Sequence, residues 1–204
     1  MSPLHAFSTT GAVGHLEGMV HSPKQDPKYI AIVCHPLPTM GGNMNNKVAV
    51  TLAKTFTDLG CVSLRFNFRG VGESEGGFTG GDGELEDALA VTEFAREQFG
   101  ELPLILTGFS FGGYVAARAA EKLNPHHLVL IAPAVGRFAM PPVPPETLVI
   151  HGEVDDVVPL VDAFDWARPQ NLPITVLPGA EHFFHGRLTQ LRDIIKKHFS
   201  GVAL

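Results

Sequence analysis

The chain has 204 residues, of which 45% are hydrophobic and 18% charged, and its formal net charge is −6. This length and composition predict one domain with a sizeable core, spanning residues 1–204. The acidic balance leaves no basic stripe for nucleic acid, and no apolar run approaches the ~18 residues of a membrane span, so neither partner is expected.

The N-terminal segment and the two cysteines indicate a cytoplasmic protein. Residues 1–18 contain neither a positively charged region nor an apolar region of the kind found in signal peptides. Cys34 and Cys61 lie in apolar runs, one ending its predicted strand and the other beginning the next. In parallel neighbours these positions lie at opposite edges of the sheet, too far apart for a disulfide.

Short apolar runs alternate with segments of helical periodicity along the chain. The pattern predicts an edge strand at 14–20 and further strands at 29–34, 61–68, 104–106, 127–132, 147–150 and 174–177. It predicts helices at 45–59, 84–99, 113–123, 161–168 and 187–199. Strands alternating with helices are typical of a mostly parallel sheet with helices on both faces.

Residues 108–112 form a G-x-S-x-G motif between an apolar run and an Ala-rich helical segment. A sharp turn from strand to helix exposes the central serine, Ser110, as a candidate nucleophile. The backbone N–H of Phe111, at the start of the helix, is then a candidate oxyanion donor. A second copy of the motif surrounds Ser74, but it lies in a Gly-rich loop with no helix directly after it, which favours a turn serine.

A serine hydroxyl needs a base within reach, and the base needs an acid to orient it. His182 follows the last predicted strand and precedes the last helix, which makes it the preferred base, with His185 as the alternative. Asp155 and Asp156 both follow the strand at 147–150, and spacing alone does not choose between them.

The loop after the strand at 29–34 offers a second oxyanion donor. Pro36 and Pro38 have no backbone N–H, so Leu37 between them is the residue that can donate. Together with Phe111 it would complete a hole of two amides.

At these positions the chain resembles the α/β-hydrolase superfamily, most specifically in GFSFGG, HGEVDDVVP, GAEHFF and LRFNFRGVGESEG. With CHPLPTMGGNMNNK it is similar to small lidless bacterial hydrolases related to dienelactone-hydrolase-like enzymes. The resemblance implies an α/β-hydrolase fold with Ser110 as nucleophile, His182 as base and Asp155, rather than Asp156, as acid. It also implies oxyanion amides on Leu37 and Phe111. Dienelactone hydrolases have a cysteine nucleophile, so the serine here argues against their substrate.

The superfamily usually inserts a lid after the strand that follows the nucleophile helix. Here that space holds only the Pro-rich segment 133–145, which predicts no helical lid and therefore an open, shallow site suited to short acyl groups. The loops at 37–46 and 70–83 would frame the pocket. Candidate apolar wall residues are Met40, Phe109, Phe138, Met140 and Phe183.

We therefore expect a serine hydrolase that cleaves small carboxylic esters or thioesters through an acyl-enzyme. No cofactor is expected, and no metal, because no His/Asp pair with ligand spacing remains outside the triad. The alternatives are a peptidase or amidase that uses the same triad and a ligand-binding protein that has this fold without turnover.

Overall fold

The computed structural model describes residues 4–200, which form eight β-strands and five α-helices. The strands are β1 (Leu4–Gly11), β2 (Gly14–His21), β3 (Tyr29–Cys34), β4 (Cys61–Phe66), β5 (Leu104–Phe109), β6 (His127–Ile131), β7 (Leu148–Gly152) and β8 (Ile174–Leu177). The helices are α1 (Lys47–Asp58), α2 (Asp82–Phe99), α3 (Phe111–Leu123), α4 (Leu160–Ala167) and α5 (Leu188–Phe199). Every element predicted from the sequence is present, with ends displaced by a few residues.

All eight strands belong to one sheet with the order β1-β2-β4-β3-β5-β6-β7-β8. The strands from β4 to β8 along this order are parallel to their neighbours, whereas β2 pairs antiparallel with both β1 and β4. This is the predicted mostly parallel α/β-hydrolase architecture.

The prediction of segment 14–20 as an edge strand was wrong, because β1 lies outside it. The two strands form an antiparallel ribbon in which Leu4 pairs with His21 and Gly11 with Gly14. The side chains of β1 are exposed or half-buried, so the strand lacks a strong hydrophobic pattern. Its anchor is the ring of Phe7, which stacks on Phe94 of α2 with the centroids 4.8 Å apart.

Alternate residues of the central strands face two separate cores. Ile30 and Ile32 of β3 belong to the core beneath α2 and α3, whereas Ala31 and Val33 belong to the core beneath α1 and α5. Because both faces are covered, the strand is a continuous apolar run rather than an alternating one.

The two cysteines remain buried free thiols, as predicted. Tyr29, at the start of β3, pairs with Cys61, which places Cys34 at the other end of that strand pair. Burial raises the pKa of the Cys61 thiol to about 12 and raises that of Cys34 further. Both side chains therefore act as small apolar groups.

Helices and strands are absent from the connection between β6 and β7, residues 132–147, all of which lie in the described range. The space that a lid would occupy holds only this short link. Between residues 4 and 200, none of the helices is long and apolar enough to span a membrane.

Candidate active site

Ser110 occupies the turn between β5 and α3 with a strained backbone, φ 55° and ψ −117°. Two glycines permit this turn because the chain passes very close to itself there. A Cβ on Gly108 would lie 2.1 Å from the carbonyl oxygen of Gly112, and one on Gly112 would lie 2.2 Å from that of Cys34. The turn therefore places Ser110 between the end of β5 and the first residue of α3.

Three side chains that are distant in sequence form a continuous hydrogen-bonded row at the carboxyl ends of β5, β7 and β8. The Nε2 atom of His182 lies 3.0 Å from Oγ of Ser110, and Nδ1 lies 2.7 Å from Oδ2 of Asp155. An ionised carboxylate can only accept, so Nδ1 of His182 carries the proton and donates. Nε2 is then free to accept the hydroxyl proton of Ser110.

Of the two adjacent acids, Asp155 contacts His182, and Asp156 is exposed. The other carboxylate oxygen of Asp155 accepts hydrogen bonds from the amides of Val157 at 2.9 Å and Val158 at 2.7 Å. Burial acts to raise the pKa of Asp155, but the hydrogen bonds from His182 and the Val158 amide outweigh it and lower the pKa. The group that faces His182 is therefore an anion at neutral pH.

His151, on β7, is hydrogen-bonded to the turn that contains Asp155. Its Nε2 atom donates to the carbonyl oxygen of Val158 at 2.8 Å, and its Nδ1 atom is buried with no partner in the described part of the chain. Burial lowers the pKa of His151, although the Val158 carbonyl and Asp155 oppose the shift. The ring is therefore neutral at neutral pH.

Leu37, in the loop after β3, and Phe111, the first residue of α3, border the same cavity. No hydrogen bond from either backbone amide to another group within residues 4–200 is present. The carbonyl of Leu37 accepts from the amides of Met40 and Gly42 at 3.1 and 3.0 Å, which closes the loop after β3. The backbone amides of Leu37 and Phe111 are therefore available to a bound oxygen atom.

His35 fixes this loop to its neighbour. Its Nδ1 atom donates to the carbonyl oxygen of Pro36 at 2.7 Å, and its Nε2 atom accepts from the amide of Phe68 at 3.1 Å. Burial lowers the pKa of His35 to about 4. His35 and His151 thus each bind the backbone of the loop that follows their strand.

Ser74, in the second copy of the motif, is a buried structural residue. Its hydroxyl donates to the carbonyl oxygen of Asn67 at 2.8 Å and accepts from the amide of Glu17 at 3.1 Å. His185, the alternative base, is exposed and contacts Glu181. Neither residue takes part in the hydrogen-bonded row.

A cavity of about 260 Å³ opens beside Ser110 and His182. It is mostly apolar and lies between the loop after β3 and the link between β6 and β7. Its lining consists of Pro36, Leu37, Met40, Gly41, Gly42, Asn46, Ser110, Phe111, Ala134, Arg137, Phe138, Val157, His182 and Phe183.

Three of the predicted wall residues, Met40, Phe138 and Phe183, line this cavity. The prediction was wrong for Phe109 and Met140. Phe109 is fully buried beneath His182, with ring centroids 4.9 Å apart, because the alternation along β5 directs its side chain into the core. Met140 packs against the hydrophobic core instead.

The prediction that the loop at 70–83 frames the pocket was also wrong, because none of its residues lines the cavity. Its Phe78 ring instead packs against Phe111, with centroids 5.5 Å apart. The wall residues predicted from the sequence did not include Arg137 and Val157, which also line the cavity. Both lie on segments that were predicted to border the site, the Pro-rich link and the turn after Asp155. Their place on these segments was the only signal in the sequence.

The arrangement can perform nucleophilic acyl transfer. It contains a hydroxyl, an imidazole in hydrogen-bond contact with it, an anionic carboxylate on the far side of the imidazole, and two amides on the border of the same cavity. Within residues 4–200, no group of three or more His, Cys, Asp or Glu side chains is arranged to hold a metal ion.

The fold and the site define an α/β-hydrolase, and the comparisons with known proteins agree. Residues 25–146 match the family model described as serine aminopeptidase, S33, so the chain belongs to that family of serine hydrolases. An uncharacterized protein of Rickettsia prowazekii (strain Madrid E) is 32% identical, and the match covers 92% of this chain and 85% of that protein.

Two solved structures show the same architecture at higher identity. An α/β serine hydrolase without a lid from Xanthomonas campestris is 40% identical, with a TM-score of 0.91 over 98% of this chain and 95% of that one. An α/β serine hydrolase homologue from Coxiella burnetii is 38% identical, with a TM-score of 0.86 over 97% of each chain. The resemblance to small lidless bacterial α/β-hydrolases is therefore confirmed.

Proposed function

We propose that the protein hydrolyses small carboxylic esters or thioesters through an acyl-enzyme formed on Ser110. The observation that carries this proposal is the row of hydrogen bonds from Ser110 through His182 to Asp155 at the edge of an apolar cavity. A serine, a base and an orienting acid in this order are the groups that acyl transfer requires.

In the first half of the reaction, Oγ of Ser110 attacks the carbonyl carbon of the substrate and its proton passes to Nε2 of His182. Asp155 stabilises the resulting imidazolium. The tetrahedral intermediate collapses as the bond to the alcohol or thiol breaks, and the leaving group takes the proton from His182. The product is an ester between the acyl group and Ser110.

In the second half, water attacks the acyl-enzyme while His182 removes its proton. The second intermediate collapses to release the carboxylic acid, and Ser110 regains its proton from His182. In both halves the negative oxygen is held by the amides of Leu37 and Phe111, which have no protein acceptor within residues 4–200.

The size and exposure of the cavity favour short acyl groups. About 260 Å³ is slightly below the usual range for pockets that enclose drug-sized ligands. Met40 and Phe183 form exposed parts of its border, and the link between β6 and β7 adds no cover. Long acyl chains would extend into water and gain little from the apolar wall.

The lining also favours an ester over a peptide with a free amino terminus. An aminopeptidase must hold the ammonium group of its substrate, for which a carboxylate is the natural partner. None of the residues that line the cavity is Asp or Glu. Aminoacyl 4-nitroanilides should therefore remain uncleaved under conditions in which 4-nitrophenyl acetate is hydrolysed.

The two copies of the serine motif provide a matched test. Wild type should hydrolyse 4-nitrophenyl acetate with an initial burst, and Ser110→Ala should abolish turnover and labelling by a fluorophosphonate. Ser74→Ala should retain activity and lose roughly 1–3 kcal/mol of stability, because it leaves a buried carbonyl and amide unpaired. Turnover by Ser110→Ala at the wild-type rate would refute the assignment, and an unlabelled wild-type serine would favour a binding protein.

A further inference from the structure

Arg137 lies on the short link between β6 and β7, at the position where related enzymes carry a lid. Its side chain is exposed and lines the cavity that contains Ser110 and His182. Among the lining residues it is the only Lys or Arg, and Asp and Glu are absent from that set. The wall of the cavity therefore carries a single permanently charged side chain, and its charge is positive.

The backbone on both sides of Arg137 is tied to the catalytic turn. The amide of Ala134 donates to the carbonyl oxygen of Ser110 at 3.2 Å, and the amide of Phe138 donates to that of Ala134 at 3.2 Å. The Phe138 ring stacks on Tyr114 of α3 with centroids 4.9 Å apart. The base of the arginine side chain is therefore held in a defined place relative to Ser110.

The guanidinium itself makes no hydrogen bond or ion pair with any other group in residues 4–200. Other arginines of the chain do form such pairs, for example Arg69 with Asp87 and Arg118 with Asp82. The carboxylate of Asp162 lies against Gly136, the residue before Arg137, yet it forms no ion pair with Arg137 either. The five N–H donors of this arginine are thus free to bind a ligand.

We propose that Arg137 determines specificity by binding a carboxylate at the far end of the acyl group. The inference rests on the proposed function and narrows its substrate class to esters or thioesters of dicarboxylic acids, with one acyl carbon at Ser110 and a free carboxylate at the mouth of the cavity. A guanidinium fork matches a carboxylate with two parallel hydrogen bonds. The net charge of −6 offers anions no general attraction, so this contact has to be local.

The contact lies away from the reacting carbonyl, so it stabilises the bound substrate and the transition state equally. Its loss should therefore raise KM and leave kcat nearly constant. Since Arg137 is exposed, the attraction should also weaken with ionic strength.

The test compares mono-4-nitrophenyl adipate, which has a free carboxylate, with its neutral methyl ester, after subtraction of hydrolysis without enzyme. The measured quantity is the ratio of kcat/KM for the anionic substrate to kcat/KM for the neutral one. We expect Arg137→Gln to lower this ratio about tenfold, mainly through KM, in line with a charge-assisted hydrogen bond. Arg137→Lys should retain part of the preference, and roughly 0.5 M salt should reduce the ratio in wild type but not in Arg137→Gln.

Arg168→Gln is the matched control, because Arg168 is exposed and does not line the cavity. It should leave the ratio unchanged. An unchanged ratio in Arg137→Gln would overturn the proposal. If kcat/KM fell equally for both substrates, the ratio would be unchanged and the loss would indicate a structural role for Arg137. Failure of Ser110-dependent hydrolysis of the neutral ester would instead refute the proposed function, so the two failures are distinguishable.

Discussion

The Nε2 atom of His151 lies 3.5 Å from Oδ2 of Asp155, and both side chains are completely buried. The same nitrogen donates to the carbonyl of Val158, whose amide in turn donates to Asp155. His151 therefore acts on the acid through the turn that holds it, and it does not contact Ser110. We regard it as a positioning residue for the triad.

Replacement of His151 should separate packing from hydrogen bonding. His151→Gln can retain a donor near the Nε2 position, whereas His151→Leu cannot and leaves the Val158 carbonyl unpaired. We expect His151→Leu to lose roughly 1–3 kcal/mol of stability and to have a kcat about tenfold below that of wild type. His151→Gln should show smaller losses of both stability and kcat. Urea unfolding and ester kinetics measure the two effects. Equal kcat in both variants would contradict a role in positioning.

The two adjacent aspartates should differ sharply in their effect on catalysis. Asp155→Asn removes the anion that accepts the Nδ1 proton of His182 and presents an amide that permits the wrong tautomer. The expected loss in kcat is on the order of 10⁴-fold. Asp156→Asn changes an exposed side chain and serves as the control, with activity near wild type. Comparable losses in both variants would refute the assignment of the acid.

The close contact between β3 and the start of α3 predicts that Gly112→Ala is strongly destabilising. The new Cβ would lie 2.2 Å from the carbonyl oxygen of Cys34 and 2.6 Å from that of His35, and both are backbone atoms that cannot rotate away. We expect a loss of roughly 3 kcal/mol or more. The matched control is Gly77→Ala, where nothing lies within 4 Å of the added methyl group.

Thermal denaturation of the two glycine variants distinguishes the contact from a general effect of alanine. Gly77→Ala should change the free energy of unfolding by only about 0.5 kcal/mol or less. A similar melting temperature for both variants would show that the backbone around Ser110 can move apart freely.

The buried, neutral His35 should make stability depend on pH. Its pKa is lowered from 6.5 in the unfolded chain to about 4 in the folded protein. The unfolded state therefore binds more protons between these values, so the free energy of unfolding is highest above pH 6.5 and falls as pH is lowered toward 4. The contribution of His35 to this loss is about 2–3 kcal/mol between pH 7 and pH 4.5.

Unfolding in urea at several pH values tests this dependence. His35→Asn retains a donor for the Pro36 carbonyl but cannot titrate. Its loss of stability between pH 7 and pH 4.5 should therefore be smaller than that of wild type by about 2–3 kcal/mol. His5→Asn changes an exposed residue and should follow the wild-type curve. An unaltered pH dependence in His35→Asn would mean that the folded state admits the charged ring.

Local sequence was sufficient for much of the fold. Covered strands require continuous apolar runs, and amphipathic helices require a period near 3.6, so β3 and α1 could be predicted from their residues alone. The exception was β1, whose side chains are largely exposed and whose position depends on pairing with β2 and on the stack between Phe7 and Phe94. Such long-range contacts leave little trace in a hydrophobic pattern.

For the site, the residue pattern alone predicted that Ser110 lies in a strand-to-helix turn and that His182 and two acids follow later strands. The parallel topology then requires these residues to share one edge of the sheet, because all the strand ends meet there. Only the tertiary structure showed that Asp155 rather than Asp156 contacts His182, since that depends on which way the turn directs each carboxylate. It also showed that Arg137 lines the cavity. The backbone around Arg137 is hydrogen-bonded to the Ser110 turn, and a contact between segments so far apart in the chain cannot be predicted from local sequence.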